Sequence, residues 1–423
     1  MTPGPVEEIQ LENGFRALLL VRRNLPIVAS SIWYRVGSRD ERTGETGLSH
    51  FLEHMMFKGT ERYAKGEIDL LTSKMGGSNN AFTSNDVTAY YFSLASDRWE
   101  TALEIEADRM LACTLDEAEF AAEKKVVLEE LAMGEDDPWR SLYQRAESQL
   151  WQVHPYHHPV IGWREELERL EVATMRDYYQ RHYGPNRAFL VAVGDFDTDR
   201  VEKRIIELFG DLPATAEDRS RCLAEPLPDG ERRSAMRSPG KIARMATGTP
   251  TCRMGERDDF VLDVIGSVLS TGRSSRLQSK LIFEEKMATS VTAFSEARDD
   301  PGGFWIAMEL NQGQDPVRAE GLVRDEVAKL LRRCISRGEM RRALTQIRAS
   351  FLFEEETAMD IAMRIGRYES STQRGFGLIE EALEIYGSIT PAEIKEVARR
   401  YLGPQRWSTV WSLAEDARAR GAS

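Results

Sequence analysis

The first half of the chain alternates between short apolar runs and segments with a helical period. The apolar runs are rich in β-branched, aromatic and aliphatic residues and are bounded by Gly, Asn and Pro, which predicts strands at residues 15–21, 27–36 and 188–193. Elsewhere apolar residues recur three and four positions apart, which predicts helices at residues 47–57, 99–113, 117–133 and 197–209. Residues 76–93 begin with a Gly-Gly turn and continue as a β-rich segment. This mixture indicates an α+β domain.

The second half shows the same mixture after a change in composition. Around residues 214–238 the chain is rich in charge, carries prolines nearby and has few large apolar side chains. This predicts a linker at 214–238 between an N-terminal domain at 1–213 and a C-terminal domain at 239–423. Beyond the linker the pattern predicts a strand at 304–310 and helices at 258–269, 275–285 and within 316–356.

A short internal echo links the two halves. Gly184 begins a Gly-Pro-Asn-Arg sequence ahead of the predicted strand 188–193, and Gly403 begins Gly-Pro-Gln-Arg ahead of a second apolar run. The echo spans about half the chain, which predicts two copies of one domain. All six histidines lie at or before His182, so only the first copy can carry a histidine-ligated metal.

Composition excludes several classes of protein. The 423 residues are 41% hydrophobic and 30% charged, and they contain no run of about 20 apolar residues that could span a membrane. A net charge of −13 offers no basic surface for nucleic acid. The N-terminal stretch is polar and acidic, unlike a secretory signal, and the four cysteines are dispersed. We therefore expect a cytoplasmic protein with neither membrane nor nucleic acid as a partner.

A candidate metal site lies on the predicted helix 47–57. His50 and His54 are four residues apart, so both imidazoles lie on one helical face, and Glu53 projects beside them. Two histidines and a carboxylate ligand, with one open position, are typical of catalytic zinc, whose bound water a neighbouring carboxylate can deprotonate. The alternative is a chance pair of surface histidines that binds no metal.

The third ligand must come from another element. The predicted helix 117–133 offers Glu123, Glu129 and Glu130. Glu123 and Glu130 are seven residues apart and share a helical face, whereas Glu129 points about a quarter turn away. The spacing alone leaves these candidates open.

These motifs resemble a known family. The His50–His54 motif continues as Met-Met-Phe-Lys-Gly-Thr, and Glu130 follows His54 by 76 residues. With the Asn-Ala-Phe-Thr-Ser-Asn-Asp segment that starts at Asn80 and the His-Pro-Tyr segment that starts at His154, this is similar to the inverzincin peptidases of family M16, which include insulysin, pitrilysin and the mitochondrial processing peptidase. The two-domain length resembles the zinc-binding β subunit of the mitochondrial enzyme and the short bacterial insulinase-like peptidases.

The resemblance implies the fold and the site. It implies two homologous α/β-sandwich domains of LuxS/metallohydrolase-like fold, with one zinc per chain in the first domain. It selects Glu130 as the third ligand beside His50 and His54, makes Glu53 the base and gives Glu123 a supporting catalytic role. It also makes the residues of one segment an edge strand that binds extended peptide substrate: Asn80, Ala81, Phe82, Thr83 and Ser84. The alternative for this segment is an ordinary strand after a Gly-Gly turn.

The second half departs from the family pattern. Active members carry an Arg and a Tyr seven residues apart that grip the substrate carbonyl. Here the matching segment is one residue shorter and places Phe283 and Thr289 at those positions. We therefore expect a zinc metallopeptidase that acts on short or unfolded peptides as the catalytic half of a heterodimer, whose related two-domain partner supplies the Arg and Tyr. A non-catalytic structural subunit and a peptide-binding module with structural zinc are the alternatives.

Overall fold

A computed structural model describes residues 5–216, 222–238 and 240–414. Its residues pack into two compact units, and neither unit is a continuous stretch of sequence. The first unit is formed by the described residues of Met1–Met133, His158–Leu223 and Glu354–Ser370. The second unit is formed by those of Gly134–His157, Ala224–Phe353 and Ser371–Ser423. Residues 134–157, from the first half of the sequence, therefore belong to the second unit, and residues 354–370, from the second half, belong to the first.

Strands and helices are mixed along both halves of the sequence. Up to residue 216 they are, in chain order, β1 (Glu7–Gln10), β2 (Arg16–Val21), β3 (Ile27–Tyr34), α1 (Leu48–Met55), α2 (Glu67–Lys74), β4 (Ser78–Thr83), β5 (Thr88–Ala95), α3 (Glu100–Ala112), α4 (Glu117–Asp136), α5 (Pro138–Leu150), α6 (Arg164–Arg169), α7 (Val172–His182), β6 (Ala188–Gly194) and α8 (Thr198–Phe209). From residue 222 they are β7 (Arg232–Ser238), β8 (Arg244–Pro250), α9 (Arg257–Ser270), a π-helix (Gln278–Glu284), β9 (Ala288–Glu296), β10 (Gly303–Leu310), α10 (Pro316–Arg332), α11 (Arg337–Phe353), α12 (Ala358–Ser371), α13 (Leu378–Ser388), α14 (Pro391–Tyr401) and β11 (Ser408–Ala414).

The sheet of the first unit has the strand order β1-β2-β6-β3-β5-β4. Strands β2 and β6 are parallel, and the other neighbouring pairs are antiparallel. Strand β4 lies at one edge. The inner face of the sheet packs against helices α1, α3, α4, α7 and α8 in one apolar cluster. Because alternate residues of a strand point to opposite faces, the same strands also present an outer face.

Helix α12 covers part of that outer face although it comes from the second half of the sequence. Trp33 and Phe189 stack on this face with ring centroids 6.2 Å apart. Gly366 lies directly over Trp33, and a Cβ atom built on Gly366 would be 2.0 Å from the indole. One turn further along, the buried Glu369 carboxylate accepts hydrogen bonds from both Arg16 and Arg35. The close approach of helix and sheet therefore depends on glycine at position 366.

The sheet of the second unit repeats the same order with one strand fewer. Its order is β7-β11-β8-β10-β9, with β7 and β11 parallel, as β2 and β6 are in the first sheet. Helix α5, from the first half of the sequence, packs on this sheet. Leu142 and Leu150 of α5 join an apolar cluster with Trp305 and Val410. The predicted fold class is confirmed: both units are mixed α/β layers, and their sheet orders match as expected for two homologous domains.

The predicted strands and helices agree with the observed elements to within a few residues. Sequence reasoning missed four strands, β1, β7, β8 and β9. Two of them are polar: β1 has the sequence Glu-Glu-Ile-Gln, and β7 has Arg-Arg-Ser-Ala-Met-Arg-Ser. Strand β7 lies within the predicted linker. Its sequence does not signal a strand, because an edge strand with one solvent-exposed face needs few apolar side chains. Residues 217–221 of the predicted linker lie outside the described residues. The domain boundaries 1–213, 214–238 and 239–423 stay a prediction.

Among the residues that the structure describes, none of the helices has both the length and the apolar character needed to cross a bilayer.

Replacing Gly366 by alanine should destabilise the protein. The new methyl group would overlap the Trp33 ring. Overpacking of this kind lowers the free energy of unfolding by about 1–3 kcal/mol, which exceeds the helix propensity that alanine gains over glycine. Urea unfolding measures the change in the free energy of unfolding. Gly321 of α10 is the matched control, because a Cβ atom there meets nothing within 4 Å. Gly321→Ala should leave stability unchanged or raise it; equal effects from both variants would contradict the packing at Gly366.

Candidate metal centre

Helix α1 is short, and tertiary contacts define both its start and its orientation. Its N-cap is Gly47, in the left-handed region with φ of 89°, and this residue has no side chain to cap the helix. The buried Glu41 carboxylate takes that role: Gly47 and Ser49 donate their backbone N–H groups to it at 2.8 and 2.7 Å. His158 Nδ1 lies 3.8 Å from the same carboxylate. Burial raises the pKa of the Glu41 carboxyl to about 8.

Because the apolar side of α1 packs into the core, the polar side of the helix faces α4. Phe51, Leu52 and Met55 are fully buried in the first unit's core. His50, Glu53 and His54 therefore occupy the remaining face of the helix, as its periodicity predicts.

Three predicted ligands converge above this face. Glu130 Oε2 lies 3.7 Å from His50 Nε2 and 3.7 Å from His54 Nε2. The ligand atoms of all three residues lie within 4.8 Å of one another, and each residue is partly exposed. A tetrahedral ion with nitrogen and oxygen ligands at about 2.1 Å holds those ligands about 3.4 Å apart. The cluster therefore fits a zinc-sized ion with only small adjustments and leaves a position open toward solvent.

Glu123 holds the second histidine from behind. Its Oε1 lies 3.0 Å from His54 Nδ1, and its Oε2 lies 2.6 Å from Lys58 Nζ. Burial would raise the pKa of the Glu123 carboxyl, but the hydrogen bonds from Lys58 and His54 outweigh it and hold the pKa below its usual range. A charged carboxylate on Nδ1 keeps the proton there and directs Nε2 toward the ligand cluster, which is the usual arrangement behind a metal-bound histidine.

Glu53 lies beside the cluster and contacts the edge strand. Thr83 Oγ1 donates a hydrogen bond to Glu53 Oε2 at 2.5 Å. Burial raises the pKa of Glu53, and the hydrogen bond from Thr83 and the nearby His54 oppose that rise. A carboxylate with a raised pKa is a stronger base than a solvated one, so Glu53 is suited to taking a proton from water.

Strand β4 carries the predicted substrate segment along the edge of the first sheet. It pairs with β5 from Ser78↔Ser93 to Thr83↔Thr88. The Ala81 N–H donates to the Asn80 side-chain oxygen at 2.9 Å. A peptide that paired with β4 at that N–H would take the place of the Asn80 oxygen. Ser84, the last residue of the predicted segment, lies just beyond the strand and begins the turn into β5.

The two positions that depart from the family pattern lie in the second unit. Phe283 is 45% exposed and its ring lies 5.6 Å from the Arg273 guanidinium. Thr289 donates a hydrogen bond to Glu309 Oε1 at 3.0 Å. Neither side chain offers the cationic and phenolic donors of an Arg–Tyr pair.

Every residue that the sequence analysis assigned to the metal, to catalysis and to substrate lies in the first unit, where the three ligands come together and Glu123 and Glu53 contact His54 and Thr83 respectively. Sequence reasoning missed three supporting interactions: the cap from Glu41, the Lys58 contact with Glu123 and the Thr83 contact with Glu53. All three had no local signal, because each joins residues from separate elements; Lys58 itself lies beyond the end of α1 and reaches Glu123 on α4.

Two family models together match most of the chain. The model described as "Insulinase (Peptidase family M16)" matches residues 18–163. The model described as "Peptidase M16 inactive domain" matches residues 169–347.

Known proteins resemble the chain over nearly its full length. A zinc protease named PqqE from Helicobacter pylori is 29% identical over 414 residues, which cover 96% of this chain and 92% of the relative. The crystal structure of a protease from Helicobacter pylori superposes with a TM-score of 0.92 at 25% identity and covers 97% of this chain and 99% of that one. A Pseudomonas fluorescens structure described as a peptidase M16 inactive domain superposes with a TM-score of 0.87 at 16% identity and covers 97% and 98%.

Replacing Glu123 by glutamine should weaken zinc binding without unfolding the first unit. The amide keeps the size of the side chain but loses the charge that holds His54 and Lys58, and loss of such a partner typically lowers metal affinity about 10- to 100-fold. Competition with a chromophoric chelator measures the zinc dissociation constant. Glu119→Gln is the matched control, because Glu119 lies one turn earlier on α4 and pairs with Lys65. Unchanged affinity in Glu123→Gln would refute the supporting role.

Proposed function

The chain belongs to the insulinase family of peptidases, family M16, and from this premise we propose that it is a zinc metallopeptidase that hydrolyses peptide bonds. One zinc per chain is held by His50, His54 and Glu130. The observation that carries the proposal is the meeting of these three ligand atoms within 4.8 Å, with the carboxylate of Glu53 on the same helical face.

Each residue has a defined task in the proposed reaction. A zinc ion held by these ligands would supply Lewis-acid chemistry, which would polarise the scissile carbonyl and acidify water. Glu53 accepts the proton of the attacking water and passes it to the leaving amine. Thr83 occupies Oε2 of Glu53, which leaves Oε1 for the water. Glu123 keeps the Nδ1 proton of His54 in place and so fixes the orientation of that ring.

The substrate class follows from the edge strand. Residues Asn80–Ser84 include an exposed strand edge, and an extended peptide can add to such an edge through main-chain hydrogen bonds that depend little on its sequence. Only a chain without stable structure of its own can adopt this conformation. Short or unfolded peptides are therefore the proposed substrates.

The proposed partner is a related two-domain subunit. Phe283 and Thr289 occupy the positions where active family members carry an Arg and a Tyr, so a second chain must supply donors for the substrate carbonyl. The resulting enzyme is a heterodimer in which this chain holds the zinc. A cytoplasmic location is part of the same proposal and rests on the dispersed cysteines, which form no disulfides in the described chain.

A structural subunit without activity is the second candidate. It is favoured by the same two substitutions. The complete set of His50, Glu53, His54 and Glu130 counts against it. A peptide-binding module with structural zinc is the third candidate, and it requires no base at position 53.

Replacing Glu53 by glutamine should abolish hydrolysis and leave zinc bound. Loss of a general base typically lowers the rate about 10²- to 10⁴-fold, because no group of suitable pKa remains to take the water's proton. The measurement is cleavage of a quenched, unfolded peptide by tagged chain purified from its native cells together with copurifying subunits. Glu129→Gln is the matched control, since this exposed residue adjoins a ligand but points away.

The outcomes separate the candidates. Activity that requires a second, related chain and is lost in Glu53→Gln supports the zinc-bearing half of a heterodimer. Activity of the isolated chain would refute the need for a partner. Zinc-loaded protein without activity in any fraction would favour the structural subunit, and function retained in Glu53→Gln would favour the binding module.

A further inference from the structure

Resting on the proposed function, we propose that Thr83 is a positioning residue that ties the base Glu53 to the substrate-binding strand β4. The same residue has two separate tasks. Its backbone belongs to the edge strand on which the peptide pairs, and its hydroxyl donates to the carboxylate that takes the water's proton. Thr83 therefore holds the Glu53 carboxylate beside the strand on which the peptide binds.

The alternation of β4 places the Thr83 side chain on the correct face. Phe82 points to the outer face, where its ring meets Trp33 edge-to-face at 5.5 Å. Ala81 packs against the apolar core on the inner face. Thr83 is two residues after Ala81 and therefore points to the inner side as well, toward α1. A shift of β4 by one residue would turn this hydroxyl away from Glu53.

The hydrogen bonds around Thr83 assign its proton. Thr88 Oγ1 donates to the Val36 carbonyl oxygen at 3.0 Å. Its contact with Thr83 Oγ1 is longer, at 3.4 Å, and there Thr88 is again the donor and Thr83 accepts. The Thr83 proton is thus directed to Glu53 Oε2 at 2.5 Å. This short contact to a charged group is the stronger of the two that Thr83 makes.

A fixed carboxylate matters more for turnover than for peptide binding. A free glutamate side chain samples many rotamers, and only a few of them bring an oxygen within reach of the water. A misplacement of about 1 Å at a reacting group can cost about 100-fold in rate. The peptide, in contrast, pairs with the backbone of β4, which a change at the Thr83 hydroxyl leaves intact. Loss of the hydroxyl should therefore lower kcat and spare KM.

Valine is the substitution that isolates the hydroxyl. It keeps the β-branched shape and the strand preference of threonine, so β4 should retain its pairing with β5. Thr83→Ser keeps the hydroxyl and loses only a methyl group. Thr72→Val is the matched control in the same unit, because the buried Thr72 hydroxyl donates to the Ile68 carbonyl of its own helix α2.

The experiment compares these variants in the complete enzyme with its copurified partner. For Thr83→Val, kcat on a quenched unfolded peptide should fall about 10- to 100-fold, with KM within about threefold of wild type. Zinc affinity, measured by chelator competition, should stay within about threefold of wild type. Affinity for the same peptide, measured in a Glu53→Gln background, should stay within about threefold of that of Glu53→Gln alone. Thr83→Ser should recover most of kcat, and Thr72→Val should match wild type.

Several results would overturn the proposal. A kcat unchanged in Thr83→Val while Glu53→Gln is inactive would show that Glu53 needs no support, and the proposed function would still stand. A rise in KM or a loss of zinc equal to the loss in kcat would show a merely structural role. No recovery with serine would have the same meaning. Full activity in Glu53→Gln would instead refute the proposed function itself.

Discussion

The Glu41 carboxylate accepts the backbone N–H groups of Gly47 and Ser49, and the start of α1 depends on this cap. The helix has only eight residues, and its N-cap is a glycine. Isolated helices of this length are unstable in water, so contacts from elsewhere must supply both its stability and its direction. The buried apolar side of α1 sets its rotation, and the cap sets its first turn. The positions of His50, Glu53 and His54 depend on these two contacts. Glu41 is therefore part of the centre, although it lies nine residues before His50.

The second copy of the domain shows what replaces such a centre. Strand β8 has the same place in its sheet as β3 has in the first, and α9 is the next helix after it. Helix α9 carries Val261, Val264 and Ile265, all fully buried, and no histidine. A helix that holds a metal must keep one polar face partly wet, whereas α9 is apolar along most of its length. The same architecture therefore supports a candidate metal centre in one unit and ordinary packing in the other.

Local sequence patterns were enough to predict most of the helices, strands and site residues that the sequence analysis identified. His50, Glu53 and His54 lie within five residues, so helical periodicity alone placed them on one face, and the choice of Glu130 over Glu129 needed the family resemblance. The contact between Glu53 and Thr83 joins a helix to a strand 30 residues later, and no periodicity encodes it. Strands β1 and β7 escaped because strand prediction depends on apolar alternation, which their charged sequences lack. The location of α12 escaped for a different reason: an amphipathic helix shows that it has an apolar face but not which sheet that face covers.

The crossing of α12 into the first unit has a consequence for how the protein is made. Residues 354–370 complete that unit, yet the ribosome delivers them after most of the second unit. At a synthesis rate of about 10 residues per second, roughly 15 seconds separate the end of β6 from the emergence of α12. During that interval the sheet around Trp33 and Phe189 has no helix over it. The nascent chain therefore offers an apolar surface to chaperones for much of its translation, and the two units mature together rather than one after the other.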